Sequence, residues 1–282
     1  MTSGHPVPVR RAEILAALAM ATDLAMGQPL EFALQSCVLA NRLARKFKLD
    51  PQDVASVYYQ SLLRYIGCNA ETHTMAALFG DEIAFRRDYA RIDPGRSSEI
   101  GALVFAHLRH ANRDAGLLSF IGNIVRGMIT SSKVAGETIS AHCEVAQALA
   151  GRLGLDDSVC ANLGQLYERW DGKGLPVGLK GEAIAVAVRI VTVAQDAIVL
   201  TAALGAQEAR AKLLARRGSA YEPRVVDALL EDFETMTANL AVATLETVLA
   251  LEAGAQAVLS PDAFDAACLA MADFADLKTP HG

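Results

Sequence analysis

Residues 181–204, GEAIAVAVRIVTVAQDAIVLTAAL, are apolar on almost every side of a helical wheel, with Arg189, Gln195 and Asp196 as the interruptions. A helix without a polar face has to be covered on all sides. The rest of the chain must therefore wrap around this one, which predicts an all-α fold with residues 181–204 at its centre. Of the 282 residues 52% are apolar, enough to supply that covering.

The stretches before it have the right pattern. Residues 10–26 read as a helix stopped by Gly27 and Pro29. Residues 32–47 place Cys37, Ala40, Leu43, Ala44 and Phe47 on one stripe and Arg42, Arg45 and Lys46 off it. Asp50 and Pro51 form a helix start, and that helix runs through Val54, Tyr58, Leu62 and Tyr65 to Gly67. Further helices are expected at 71–78, 82–89, 99–109 and 117–130, with 133–137 polar and loose. His142 opens another at helical spacing through Val145, Leu149 and Leu153. Helices at 225–230, 236–251 and 261–277 close the chain. The organisation expected is a tail and helix over 1–31, a main domain over 32–232 and a helical extension over 233–282.

Directly before the central helix lies LYERWDGKGLPVGLKG, residues 166–181. Gly172 and Gly174 permit a tight reversal, Pro176 prevents the helix from resuming at once, and Trp170 can anchor the loop on a helical core. With Glu168 and Asp171, these residues resemble the loop of HD-GYP domains in the HD phosphohydrolase superfamily, which reads HHERWDGSGYP followed by GLKGEEI. The resemblance extends over roughly residues 32–230. It implies an HD-like helical bundle with additional C-terminal helices, in bacterial signalling. The last residues resemble the entry to a second such domain in longer regulators, some of which end in a LuxR-type DNA-binding motif.

The resemblance also identifies where metal ligands would stand, and most of them differ. The family's LLHDIGK is here Leu62 to Cys68, with Arg64 and Tyr65 in place of the histidine and aspartate. Leu166 and Tyr167 replace the two histidines before Glu168, and Gln195 stands where a ligating aspartate would. His142 alone keeps a ligand type. A guanidinium cannot be deprotonated to bind a metal, and Asp196 is turned about 100° from the Gln195 position on a helix. His73, Asp81 and Cys68 near the altered dipeptide could form a rearranged site. Arg189 could pair with Asp196 or Asp171, and Arg64 could neutralise Asp171 or accept an anion. The basic segment with which the family contacts phosphates is missing after Thr201 and Ala202.

The function expected is a non-catalytic HD-GYP-like regulatory module without a cofactor, acting by dimerisation, partner contact or binding of a cyclic dinucleotide or other anion. The alternative is a metal-dependent phosphohydrolase, a cyclic di-GMP phosphodiesterase, using manganese, iron or zinc at a rearranged site. A net charge of −6 and a pI of 5.5 argue against nucleic acid or an anionic membrane as partner. No apolar run is expected to span a membrane, and no signal-peptide pattern opens the chain. Five cysteines without a C-x-x-C pair suggest free, mostly buried thiols in the cytoplasm.

Overall fold

A computed structural model describes residues 8–28, 31–69, 76, 79–89, 91–113, 117–253 and 256–276. The α-helices described are α1 (Arg11–Ala25), α2 (Phe32–Lys46), α3 (Pro51–Leu63), α4 (Glu82–Tyr89), α5 (Ser97–Ala111), α6 (Leu117–Arg152) and α7 (Asp157–Leu163). They continue with α8 (Val186–Leu204), α9 (Ala206–Ala215), α10 (Pro223–Leu230), α11 (Phe233–Thr237), α12 (Leu245–Leu249) and α13 (Pro261–Asp276). Among the described residues there is no β-strand, so the fold is all-α.

Helix α8 is the centre. Ala187, Val188, Ile190, Val191, Val193, Ala194, Ala197 and Leu200 are each 0% exposed, because α2, α3 and α9 pack around them. The helix is 19 residues long and apolar enough to cross a membrane by length and composition alone, contrary to the expectation that no run reaches that length. Here its apolar surface is taken up by the neighbouring helices. It also starts later than its pattern suggested. Gly181–Ala183 is a 3-10 turn, Gly181 has φ +59°, and the Ala185 N–H donates to Gln165 Oε1 at 2.9 Å.

The local signals at α3 work as their chemistry demands. Asp50 Oδ1 accepts from the Asp53 N–H at 2.8 Å, with Pro51 first in the helix. Gly67 then passes so close to α6 that a Cβ there would run into the His142 carbonyl.

Two further expectations fail. Residues 133–137 are not loose but lie inside α6, a single helix of 36 residues, about 54 Å long. Lys133, Ala135 and Glu137 are good helix formers, and no proline interrupts them. Conversely, 236–251 is not one helix. Ala238 leaves helical geometry and Asn239 has φ +57°, a conformation asparagine tolerates; Thr244 then caps α12 by accepting from the Thr247 N–H at 3.2 Å. The helix expected at 71–78, with His73, lies outside the described residues except for Ala76.

One buried apolar cluster runs from Ala12 in α1 to Phe274 in α13. The two ends of the chain are clasped. Arg10 meets Glu252 at 2.5 Å, Tyr59 donates to the same carboxylate at 2.9 Å, and the Leu259 N–H donates to the Val9 carbonyl at 2.9 Å. A second, small cluster of Phe79, Phe85, Val104 and Leu108 joins α4, α5 and the first turns of α6. Of the cysteine side chains described, those of Cys37 and Cys143 are buried, that of Cys160 is half-buried and that of Cys268 is exposed.

Candidate functional site

The loop after α7 holds itself together through its backbone. The Leu175 N–H donates to the Tyr167 carbonyl at 3.2 Å, and the Gly181 N–H to the Trp170 carbonyl at 3.0 Å. Trp170 and Asp171 tie the loop to the Ser219–Ala220 segment, their N–H groups donating to Ala220 and Ser219 carbonyls at 3.2 and 2.8 Å. Buried Glu168 supports the turn from inside, its Oε1 accepting from Val177 and Gly178 N–H groups at 2.8 and 3.1 Å. Gly174 packs against the Tyr167–Arg169 backbone, where a side chain would collide. Pro176 is exposed at the tip.

Beneath this loop, α3, α6 and α8 converge. Arg64, at the end of α3, is 8% exposed, and its Nη1 donates to Thr192 Oγ1 on α8 at 2.7 Å. Burial works against its charge, but Tyr65, Asp196 and Tyr167 outweigh it and hold the guanidinium protonated. His142 on α6 is 7% exposed, with Nδ1 3.2 Å from the Tyr167 hydroxyl. Its imidazole is pulled down to about 4 by burial and by Arg86, so it is neutral at pH 7. Gln195 is fully buried and donates to the Ser61 carbonyl at 3.2 Å. Leu166 lies in the apolar core, and half-buried Tyr65 packs near the Phe32 ring.

The carboxylates of the region are engaged elsewhere. Asp196 Oδ2 accepts from the Tyr221 hydroxyl at 2.6 Å; the Tyr221 hydroxyl oxygen accepts from Arg216 Nη1 at 3.1 Å, and Arg216 also donates to the Arg91 carbonyl. Arg189 does not pair with Asp196 or Asp171. It reaches Glu222 at 2.6 Å and lies 5.8 Å over the Trp170 ring. Nor does Arg64 serve Asp171, which Arg169 holds at 3.3 Å while also pairing with Asp93 at 2.7 Å. Asp81 caps α4 by accepting from the Ala84 N–H at 2.8 Å. The Cys68 side chain and His73 lie outside the described residues.

The described residues at this convergence point do not fit a divalent metal centre. The convergence point holds a buried, permanently charged guanidinium, two phenols, an amide and one neutral imidazole, and a metal ion would repel the first of these. Among the described residues no group of three or more His, Cys, Asp or Glu side chains could hold a metal ion. Among the described residues, His142 Nε2 is buried without a hydrogen-bond partner, as are Arg64 Nε and Gln195 Oε1. The adjoining cavity, lined by Glu168, Trp170, Arg189, Thr192, Tyr221 and Glu222, is about 10 Å³, room for about one water.

The resemblance singles out Arg64, Tyr65, His142, Leu166, Tyr167 and Gln195; the fold sets Arg64 beside Tyr65 and Tyr167, Tyr167 against His142, and Gln195 on the Ser61 carbonyl, with Leu166 in the core. The resemblance misses Thr192, Ser61, Tyr221, Arg216 and Asp93. Tyr221 could have been suspected from its place in the GSAYEP segment; nothing in the spacing ties Asp93 to Arg169.

Residues 107–225 match the family model of the HD domain. That match begins after the Leu62–Cys68 segment, so it is narrower than the 32–230 span of the resemblance. A 3'3'-cGAMP-specific phosphodiesterase of Vibrio cholerae is 26% identical over 276 residues, 96% of this chain and 59% of the relative. A cyclic di-GMP phosphodiesterase response regulator of Xanthomonas campestris is 47% identical over 70 residues, 23% of this chain and 18% of the relative. The crystal structure of a cyclic GMP-AMP-specific phosphodiesterase of V. cholerae superposes with a TM-score of 0.71 at 21% identity, covering 98% of this chain and 62% of that one. The chain thus spans about three fifths of the relatives it matches along its whole length. All these relatives are named as phosphodiesterases, which favours the phosphohydrolase alternative over the non-catalytic expectation. The chain carries an HD domain over residues 107–225 and is a homologue of the HD-GYP phosphodiesterases.

Proposed function

We propose that this chain is a regulatory HD-GYP-type module of cytoplasmic cyclic-dinucleotide signalling whose former catalytic centre is closed by a polar plug. The observation that carries this reading is Arg64: its guanidinium is buried at the point where α3, α6 and α8 meet and is fixed to Thr192 at 2.7 Å. A charge of that sign and permanence occupies the region a metal pair would need. Asp196, the nearest carboxylate on α8, is drawn off by Tyr221. The cavity beside Thr192, about 10 Å³, admits no nucleotide, which supports action through the surfaces of the module.

The second reading is a metal-dependent cyclic-dinucleotide phosphodiesterase with a rearranged site. Two observations favour it: the activities named for the relatives and the neutral His142 imidazole with its unpartnered Nε2.

One set of measurements separates them. The purified chain is incubated with manganese, iron or zinc, freed of excess, and assayed for bound metal and for hydrolysis of 3'3'-cGAMP and cyclic di-GMP. Calorimetric titration of both nucleotides is run on wild type and Arg64→Ala. The plug reading expects substoichiometric metal, no hydrolysis and no binding heat for wild type. Stoichiometric metal with turnover that His142→Ala abolishes would establish the second reading instead.

A further inference from the structure

Helix α13 is built from apolar residues and four aspartates, with no other polar side chain among its 16 residues. Ser260 starts it by accepting from the Ala263 N–H at 3.2 Å, with Pro261 first in the helix. One side, carrying Ala267, Ala270 and Phe274, is buried, and the helix packs on α6. The other side is apolar as well. Leu269 is 68% exposed and Phe264 37%, and Cys268, Ala272 and Ala275 are exposed beside them. A helix apolar on opposite sides calls for cover on both. Among the described residues, only one side of α13 has it.

The charge around this outer face is of one sign. Asp262, Asp265, Leu269 and Asp276 follow in steps of three, four and seven residues, a single stripe, and all four are exposed. Asp273 is held by Arg152, whereas among the described residues no salt bridge reaches the other three aspartates. Asp262 has a local reason to be acidic, since the first turn of a helix favours a carboxylate; Asp276 stands in the last turn, where the helix dipole disfavours one. Residues 225–276 contain ten Asp and Glu and no Lys, Arg or His. That stretch carries more negative charge than the net −6 of the whole chain. Arg10, Lys46, Arg152 and Arg217, which reach it from outside, are each already paired with one of its acids.

We infer that the outer face of α13 is a docking surface for a cationic amphipathic helix of another protein. Its apolar stripe covers Leu269 and Phe264, and its Lys or Arg residues stand opposite Asp262, Asp265 and Asp276. Charge selects this occupant. The α13 of a second copy brings the same four aspartates and no base, and an anionic lipid surface or a nucleic acid is repelled. Ala272 and Ala275 leave room for the larger side chains of the partner. The inference rests on the surface-acting reading above and gives it a partner class. Peptide binding tests the docking, whereas the metal and hydrolysis measurements test that reading, so the two fail separately.

The probe is a fluorescein-labelled helical peptide of leucine and lysine, spaced so that the leucines form one stripe, and titrated with the full chain by fluorescence anisotropy. A peptide of the same composition, shuffled so that no stripe forms, is the control. Wild type is expected to bind the striped peptide about tenfold more tightly than the shuffled one, and less tightly as salt is raised. Leu269→Ser, and Asp265→Lys with Asp276→Lys, should each weaken binding about tenfold or more. Glu208→Lys, at an exposed acid on α9, should leave it unchanged. All these positions are exposed, circular dichroism verifies that the variants fold, and if one α13 variant misfolds the other decides. No binding, equal binding of both peptides, undiminished binding by the α13 variants, or an equal loss in Glu208→Lys would overturn the inference. So would a dimer in sedimentation velocity that Leu269→Ser dissociates, which would place a second copy on this face.

Discussion

The bundle around α8 and the hairpin of α4, α5 and the first half of α6 are stabilised in different ways. Around α8, apolar side chains are covered from every direction, and the charged groups at its edge are held in pairs such as Arg189 with Glu222 and Arg169 with Asp93. The hairpin rests on the small cluster of Phe79, Phe85, Val104 and Leu108, and leaves Phe105, Ile121 and Val125 largely exposed. Protection within one chain is therefore uneven. A region with few covered side chains opens locally at lower cost than the core that sets global stability.

The sharpest way to probe this contrast is a large-to-small change on each side. Leu39→Ala, at a position of 0% exposure facing the main cluster, should lower global unfolding stability by about 2–5 kcal/mol in a denaturant titration. Phe85→Ala removes the ring stacked at 4.0 Å on Phe79. Native-state hydrogen exchange should then show α5 amides exchanging about tenfold faster or more, with those of α2 and α8 unchanged. An equal acceleration in both regions would show the hairpin and core to be one cooperative unit.

A pH series sharpens the comparison from the bundle side. Asp23 on α1 is 2% exposed and accepts from the Ala33 N–H at 2.9 Å. Burial raises its carboxyl to about 7, against the lowering effect of the Ala33 and Phe32 N–H groups. In the unfolded chain the same group titrates near 4. Between those values the folded state binds the extra proton, so this contribution is full below about pH 4 and is lost as pH rises through about 7. Asp23→Asn should flatten that slope in stability measured against pH, and an unchanged slope would assign the dependence to another group. The smallest effect belongs to the hairpin. A Cβ at Gly101 in α5 meets nothing within 4 Å, so Gly101→Ala should raise the local opening free energy of α5 by about 0.5–1 kcal/mol.

Much of the fold was legible because its signals are local. The Asp50–Pro51 start of α3 and the all-round apolar run of α8 needed no knowledge of their neighbours. The misread segments were those where local signals are weak. Residues 133–137 lack an apolar stripe but have helix-forming side chains, and the break at Ala238–Asn239 depends on an asparagine in a conformation that its pattern does not announce. The site was legible as a set of positions through the loop motif. It was not legible as a set of partners: Arg64 finds Thr192, Asp196 finds Tyr221, and Arg189 finds Glu222.

What the sequence by itself determined is where most of the helices form, which of them must be central, and that arginine, tyrosine and glutamine stand at positions where the resembling family carries ligand-type side chains. Helical phase and residue chemistry are carried by neighbours three and four places away, so they can be read along the chain. Only the tertiary structure decided which charged side chains meet, as with Arg10 and Glu252 or Arg169 and Asp93, and which face of α6 stays in solvent. Those outcomes depend on the distances between side-chain ends across packed helices, which exist only once the chain has wrapped around α8.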